Sequence, residues 1–125
     1  MIERKLSSPG NDCPEFNIGD VCSFLQHFHD HYPYFLDFLS SGYGWDLLTS
    51  KRIAIDVFGT LWLKRRDFVS SRNVQAFLYS TCKGKSVSFL RYLAAGADEQ
   101  YVVDTKLFDQ LPQEIAQAFK IELNK

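Results

Sequence analysis

The densest apolar stretch of the chain runs from Trp45 to Arg66, and whatever that stretch becomes decides the fold. Leu47, Leu48, Ile53, Ile55, Val57, Leu61, Trp62 and Leu63 are separated only by short polar or Gly steps. Such residues favour pleated strands. Alternation sets Ile53, Ile55 and Val57 on one face, with Ala54 and Asp56 on the other. Gly59 offers a turn or bulge between 52–57 and 60–66, with Lys64, Arg65 and Arg66 ending the second strand. The expectation is two or three antiparallel strands.

On either side the periodicity is helical. Asp20 stands ahead of Val21, Phe24, Leu25 and Phe28, which is the i, i+3, i+4, i+7 spacing of an amphipathic helix with an acidic cap. Pro33 is expected to interrupt it, with Tyr34 to Leu39 continuing as a second piece that ends at Ser40, Ser41 and Gly42. Ser71 can cap a helix carrying Val74, Phe77 and Leu78. After a loop over 82–85, Ser86 can cap another carrying Phe89, Leu90, Leu93 and Ala94, which stops near Gly96. Tyr101 to Val103 reads as a short strand, and Pro112 opens a last helix with Ile115, Ala118 and Phe119 on one stripe. The fold expected is α+β: a small, mainly antiparallel β-sheet (residues 45–66, with a further strand at 100–104) packed with helices on one side. Residues 1–17, rich in Ser, Pro and Gly, read as a flexible N-terminal arm, and 18–125 as one globular domain.

At 125 residues, 46% of them hydrophobic and 15% aromatic, the chain can build a real core without disulfides or metal. Its three cysteines, Cys13, Cys22 and Cys82, cannot all pair with one another. No run approaches the ~20 apolar residues of a membrane span, and Met1 to Gly10 lacks the apolar stretch of a signal peptide. These features predict a cytoplasmic protein with no membrane partner.

The net charge of −1 conceals a segregation along the chain. Residues 1–50 sum to −5 and residues 92–125 to −3, whereas 51–91 sum to +7. Fields of this kind accelerate association with acidic proteins or nucleic acids. The candidate partner-binding residues are Arg52, Lys64, Arg65, Arg66, Arg72, Lys83 and Lys85, with Trp62 either an exposed aromatic anchor or, on the core side of its strand, a buried ring.

Several motifs point toward chemistry. Ile53 to Leu61, Ile-Ala-Ile-Asp-Val-Phe-Gly-Thr-Leu, resembles the first motif of the haloacid dehalogenase superfamily, in which an apolar strand delivers an Asp nucleophile. That resemblance implies a phosphatase with Asp56 as nucleophile and Thr60 beside it. It covers about nine residues, and Phe58 replaces the second acid frequent in the phosphatase branch. His27, His29 and His31 resemble, one residue short, the His-x-His-x-Asp-His element of metallo-β-lactamase-like hydrolases. On a helix, His27 and His31 share one face and His29 points away, which makes half a zinc site at most. Cys82-Lys83-Gly84-Lys85-Ser86 ends like a phosphate-binding loop, but Tyr79 stands where the first Gly belongs. Cys82 beside Lys83 and Lys85 reads either as an activated thiol or as a small buried side chain.

No complete catalytic, metal or cofactor constellation assembles from these residues. The leading expectation is therefore a small non-catalytic binding protein, of inhibitor, immunity or adaptor type, that meets an acidic protein through its basic central segment. The alternatives are a nucleic-acid-binding domain using segment 51–91 and, behind it, the Asp56 phosphatase.

Overall fold

Asp20 begins the first helix as its spacing predicts: its carboxylate accepts the Ser23 N–H at 2.9 Å and the Ser23 hydroxyl at 3.0 Å. The computed structural model describes residues 18–68, 70–96 and 100–125, and all its regular elements are helical. They are α1 (Val21–Tyr43), α2 (Leu47–Leu63), a 3-10 turn at Arg65–Asp67, α3 (Ser71–Ala94), α4 (Thr105–Asp109) and α5 (Gln113–Leu123). The expected α+β sheet is overturned, since among the described residues there is no strand at 45–66 or at 100–104.

The error lies at α2 and has a physical cause. Ile53, Ala54, Ile55, Val57, Phe58, Gly59, Leu61 and Trp62 are all buried, so most of the circumference of this helix is wrapped; its polar stripe, the half-buried Thr49, Arg52, Asp56 and Thr60, is narrow, and the alternation of Ile53, Ile55 and Val57 masks the helical period it marks. Helical β-branched residues forgo a few tenths of a kcal/mol each in propensity, whereas burying an Ile or Val side chain returns about 1.5–3 kcal/mol. Burial wins. The start signal is local: Asp46 caps α2 by accepting the Thr49 N–H at 2.9 Å.

α1 and α2 form an antiparallel pair. Phe24 meets Trp62 near one end, at 5.2 Å between ring centroids, and Phe35 meets Phe58 farther along, at 5.6 Å. Gly44 makes the corner between them with φ 73°, a left-handed conformation that glycine adopts without steric cost. Pro33 does not interrupt α1. It lies on the exposed face, where the helix carbonyl left without a donor meets water. α3 is likewise continuous through 82–86, so the expected loop there and the cap at Ser86 are both replaced by helix interior; the N-cap is Ser70, not Ser71. Ser86 is buried and accepts the Trp45 indole N–H at 3.2 Å, tying the α1–α2 corner to α3.

The remaining side of α2 is closed by residues 100–109 and by α5, which follows Pro112 as expected. Phe119 of α5 packs on Phe24 and Phe28, and the buried Lys51 of α2 donates from Nζ to the Lys125 carbonyl at 3.0 Å. Segment 1–17, expected to be a flexible arm, lies outside the described residues. No helix among those described is long and apolar enough to cross a membrane.

Gly59 lies inside α2 where Leu107 of α4 packs on its backbone, and is not the turn that its sequence context predicts. A Cβ there would run into Leu107, with Cδ1 at 2.9 Å and Cγ at 3.0 Å. Gly59→Ala should gain about 1 kcal/mol of helix propensity, yet overpacking Leu107 costs about 1–3 kcal/mol. A net loss of up to about 2 kcal/mol is expected in urea unfolding. The double variant with Leu107→Ala should be more stable than the two single losses sum to; strict additivity would show that the contact is not tight.

Candidate functional site

The structure sorts the basic residues of 51–91 into those that hold the fold together and those left in solvent. Arg52 belongs to the first group: Nη1 donates to Gln100 Oε1 at 2.9 Å and to the Tyr101 carbonyl at 3.1 Å, fastening residues 100–101 onto α2. Arg65 is a clamp. Its Nε donates to the Gly19 carbonyl at 3.3 Å, its Nη1 donates to the Trp62 carbonyl at 3.0 Å, and its guanidinium lies 3.9 Å from the Trp62 ring centroid. Trp62, a candidate for either an anchor or the core, belongs to the core: its ring packs against Phe24 and is only 5% exposed. Lys85 turns inward to Asp56, with Nζ 3.4 Å from Oδ1.

Lys64, Arg66, Arg72 and Lys83 are exposed and form no ion pair with any described residue. Lys64, Arg66 and Arg72 cluster where α2 turns into α3, the end of the bundle at which Arg65 also holds the chain leading into α1. Lys83 lies apart, about 16 Å along α3 from Arg72 at 1.5 Å per residue. Among the described residues, Asp67 is the acid adjacent to these cations in the chain, and Asp20 at the same end is engaged in capping α1. Among the described residues this end presents exposed Lys and Arg side chains on a connection that Arg65 ties down.

Asp56 occupies the middle of α2, so the strand-end placement implied by the haloacid dehalogenase resemblance is absent. One carboxylate oxygen faces Lys85 and the other accepts the Tyr101 hydroxyl, while Thr60 donates to the Asp56 backbone carbonyl at 2.8 Å. Burial, followed by the adjacent Asp56 carboxylate, pushes the Tyr101 phenol far above its usual range. Both oxygens of Asp56 are therefore occupied by donors. Its geometry is that of a link between α2, α3 and residues 100–102.

Cys82 is buried in the same region, and burial pushes its thiol up to about 12, outweighing the opposing effect of Lys85. It acts as a small apolar side chain, not as an activated thiol. Gly84-Lys85-Ser86 lies in the interior of α3, where the backbone N–H groups bond within the helix and cannot cradle a phosphate.

His27 and His31 share one face of α1, as their spacing predicts, with ring centroids 4.2 Å apart, while His29 is exposed. His31 Nδ1 pairs with Gln75 Nε2 of α3 at 3.2 Å. Burial, reinforced by the neighbouring His31, holds the His27 imidazole at about 4. Among the described residues no group of three or more His, Cys, Asp or Glu side chains is placed to hold a metal ion.

Sequence reasoning missed Gln100 and Tyr101 as partners of Arg52 and Asp56. Their importance depends on the segment after α3 folding back across α2, for which the local pattern carries no signal. Comparison with protein-family models, with curated proteins and with solved structures gives no match to this chain.

Proposed function

We propose that the protein is a non-catalytic helical binding module that holds an acidic protein partner against the end of the bundle bearing Lys64, Arg66 and Arg72. The observation that carries this reading is that these cations are exposed, lack ion-pair partners among the described residues, and sit on a connection that Arg65 fixes in place. A preorganised cationic surface loses little side-chain and loop freedom when a carboxylate-rich partner docks, and Arg adds paired hydrogen bonds to carboxylates. A cytoplasmic setting belongs to the same proposal, with Cys22 and Cys82 as free thiols.

A protein is favoured over a nucleic acid because the aromatics interleaved with the basic residues are engaged internally. Phe58 and Trp62 are buried and Phe68 packs on Phe77; Tyr79, 44% exposed, packs one side of its ring on Phe35 and Phe38. Little aromatic surface remains there on which bases could stack.

The test is Lys64→Glu combined with Arg66→Glu and Arg72→Glu, with partner retention from native cell lysate measured after nuclease treatment. The triple variant should keep its helical circular dichroism and bind the retained protein at least tenfold more weakly, chiefly through slower association. Unchanged affinity would overturn the proposal. Retention that disappears with nuclease and falls linearly with log salt would replace it by the nucleic-acid reading.

A further inference from the structure

A groove of about 490 Å³ lies between the C-terminal half of α3 and the segment that folds back over α2. One helix stripe, Lys85, Ser88, Phe89 and Tyr92, forms one wall, and Gln100, Tyr101 and Val102 form the other. The volume falls in the range of small-molecule sites, and the aromatic walls match their usual lining. Phe89 is fixed edge-to-face against Tyr101 at 5.3 Å and packs on Trp45 at 5.2 Å, so the inner wall is rigid. Tyr92 and Val102, 47% and 72% exposed, stand at the rim.

The polar groups of this groove are mostly donors. Gln100 Oε1 already accepts from Arg52, so what its amide has left to offer a ligand is the donating NH2. The Lys85 ammonium has one neighbour, Asp56 Oδ1 at 3.4 Å, leaving further N–H groups without an acceptor among the described residues. Asp56 lies beneath the groove, its second oxygen occupied by the Tyr101 hydroxyl, so it offers little to a ligand. Lys85 is the charged side chain of the lining. A neutral apolar ligand would strip water from that ammonium and give nothing in return, whereas a carboxylate would supply the acceptor it lacks.

We propose that this groove binds a small monocarboxylate with an aromatic or branched apolar body, the carboxylate on Lys85 and Gln100 and the body between Phe89, Tyr92 and Val102. The site is independent of the basic end of the bundle. Lys85 stands about 20 Å along α3 from Arg72.

The experiment is a titration of the 15N-labelled protein with 2-naphthoate and, separately, with its neutral isostere 2-naphthamide. Naphthoate should shift the amide signals of Gly84, Ser88, Tyr92, Gln100 and Val102 saturably, with a Kd of about 1 mM or tighter for a ligand of this size. Naphthamide should bind at least tenfold more weakly. Lys85→Met should remove that preference and Lys85→Arg should keep it. Ser88→Trp, a substitution at an exposed position, should fill the groove and abolish both titrations while the rest of the spectrum is unchanged. The absence of saturable shifts, equal affinity for the acid and the amide, or shifts confined to residues 64–72 would each overturn the proposal. An acetylated tripeptide ending in Trp that binds more tightly than naphthoate would reassign the groove to a peptide C-terminus.

Discussion

Phe58→Ala is expected to lower the free energy of unfolding by about 3–5 kcal/mol, the range for truncating a fully buried aromatic residue. Phe58 is completely inaccessible and meets Phe28 and Phe35 edge-to-face, with centroids at 5.2 and 5.6 Å. Truncation removes the transfer energy of the ring and leaves a cavity at the centre of the α1–α2 pair, which surrounding rings cannot easily collapse into. Against the ~5–15 kcal/mol typical of a domain, that is about a fifth of the total or more. Urea unfolding should show a lower midpoint at an unchanged slope. Phe68→Ala provides the comparison, because Phe68 is half-buried against Phe77, and its loss should be about 1 kcal/mol. Equal effects of the two substitutions would mean that α2 is not the central strut of the fold. The comparison also separates the helix from the hairpin expected from sequence, in which Phe58 falls between the strands 52–57 and 60–66 and truncation would be cheap.

What could be read from the sequence divides along solvent exposure. Asp20 and Pro112 announce helix starts through local chemistry, and the stripes after them report which face is buried, so α1 and α5 begin where their residues say. α2 defeats the same procedure because most of its circumference is buried; Ile53, Ile55 and Val57 alternate in sequence yet all turn inward, together with Ala54 and Phe58, and the narrow stripe of Arg52, Asp56 and Thr60 is easily taken for the polar steps between strands. The cap at Asp46 was the available counter-signal, followed by 17 residues without a helix-breaking proline. Pro33 and Gly84 mislead in the opposite direction. Both stand on exposed faces of long helices, where a missing hydrogen bond or side chain is tolerated. As for the candidate residues, charge alone could not separate Arg52, Arg65 and Lys85 from Lys64, Arg66 and Arg72. The first group acquires structural partners only when Gly19, Asp56, Gln100 and Tyr101 are brought in from elsewhere in the chain.

Stability is expected to fall by about 3 kcal/mol between pH 7 and pH 4, with His27 as the principal cause. Its imidazole is held at about 4 in the folded chain, against 6.5 when exposed, because burial opposes the charged form and the His31 ring beside it adds repulsion. Between those two values the unfolded chain binds the proton and the folded chain does not, so acid favours unfolding. Above pH 7 both states are neutral at this position, and His27 adds no slope. Within the window the slope approaches about 1.4 kcal/mol per pH unit, which over some 2.5 units accumulates to about 3 kcal/mol. His31, lowered by burial, acts in the same direction, and Asp30 beside both opposes it. The uncharged Gln75 of α3 and Phe58 of α2 face the pair from the neighbouring helices. The capping carboxylates Asp20 and Asp46, held below 3.8 by their bonds to Ser23 and Thr49, lose their contribution only as the pH falls lower still. Urea midpoints of wild type and His27→Gln, compared from pH 7.5 to 4.5, isolate the effect, because glutamine stays neutral throughout. The variant should lose most of the slope, and His27→Gln with His31→Gln should be nearly flat until the carboxylates titrate. A wild-type slope retained in both variants would show that neither imidazole is kept neutral by the fold.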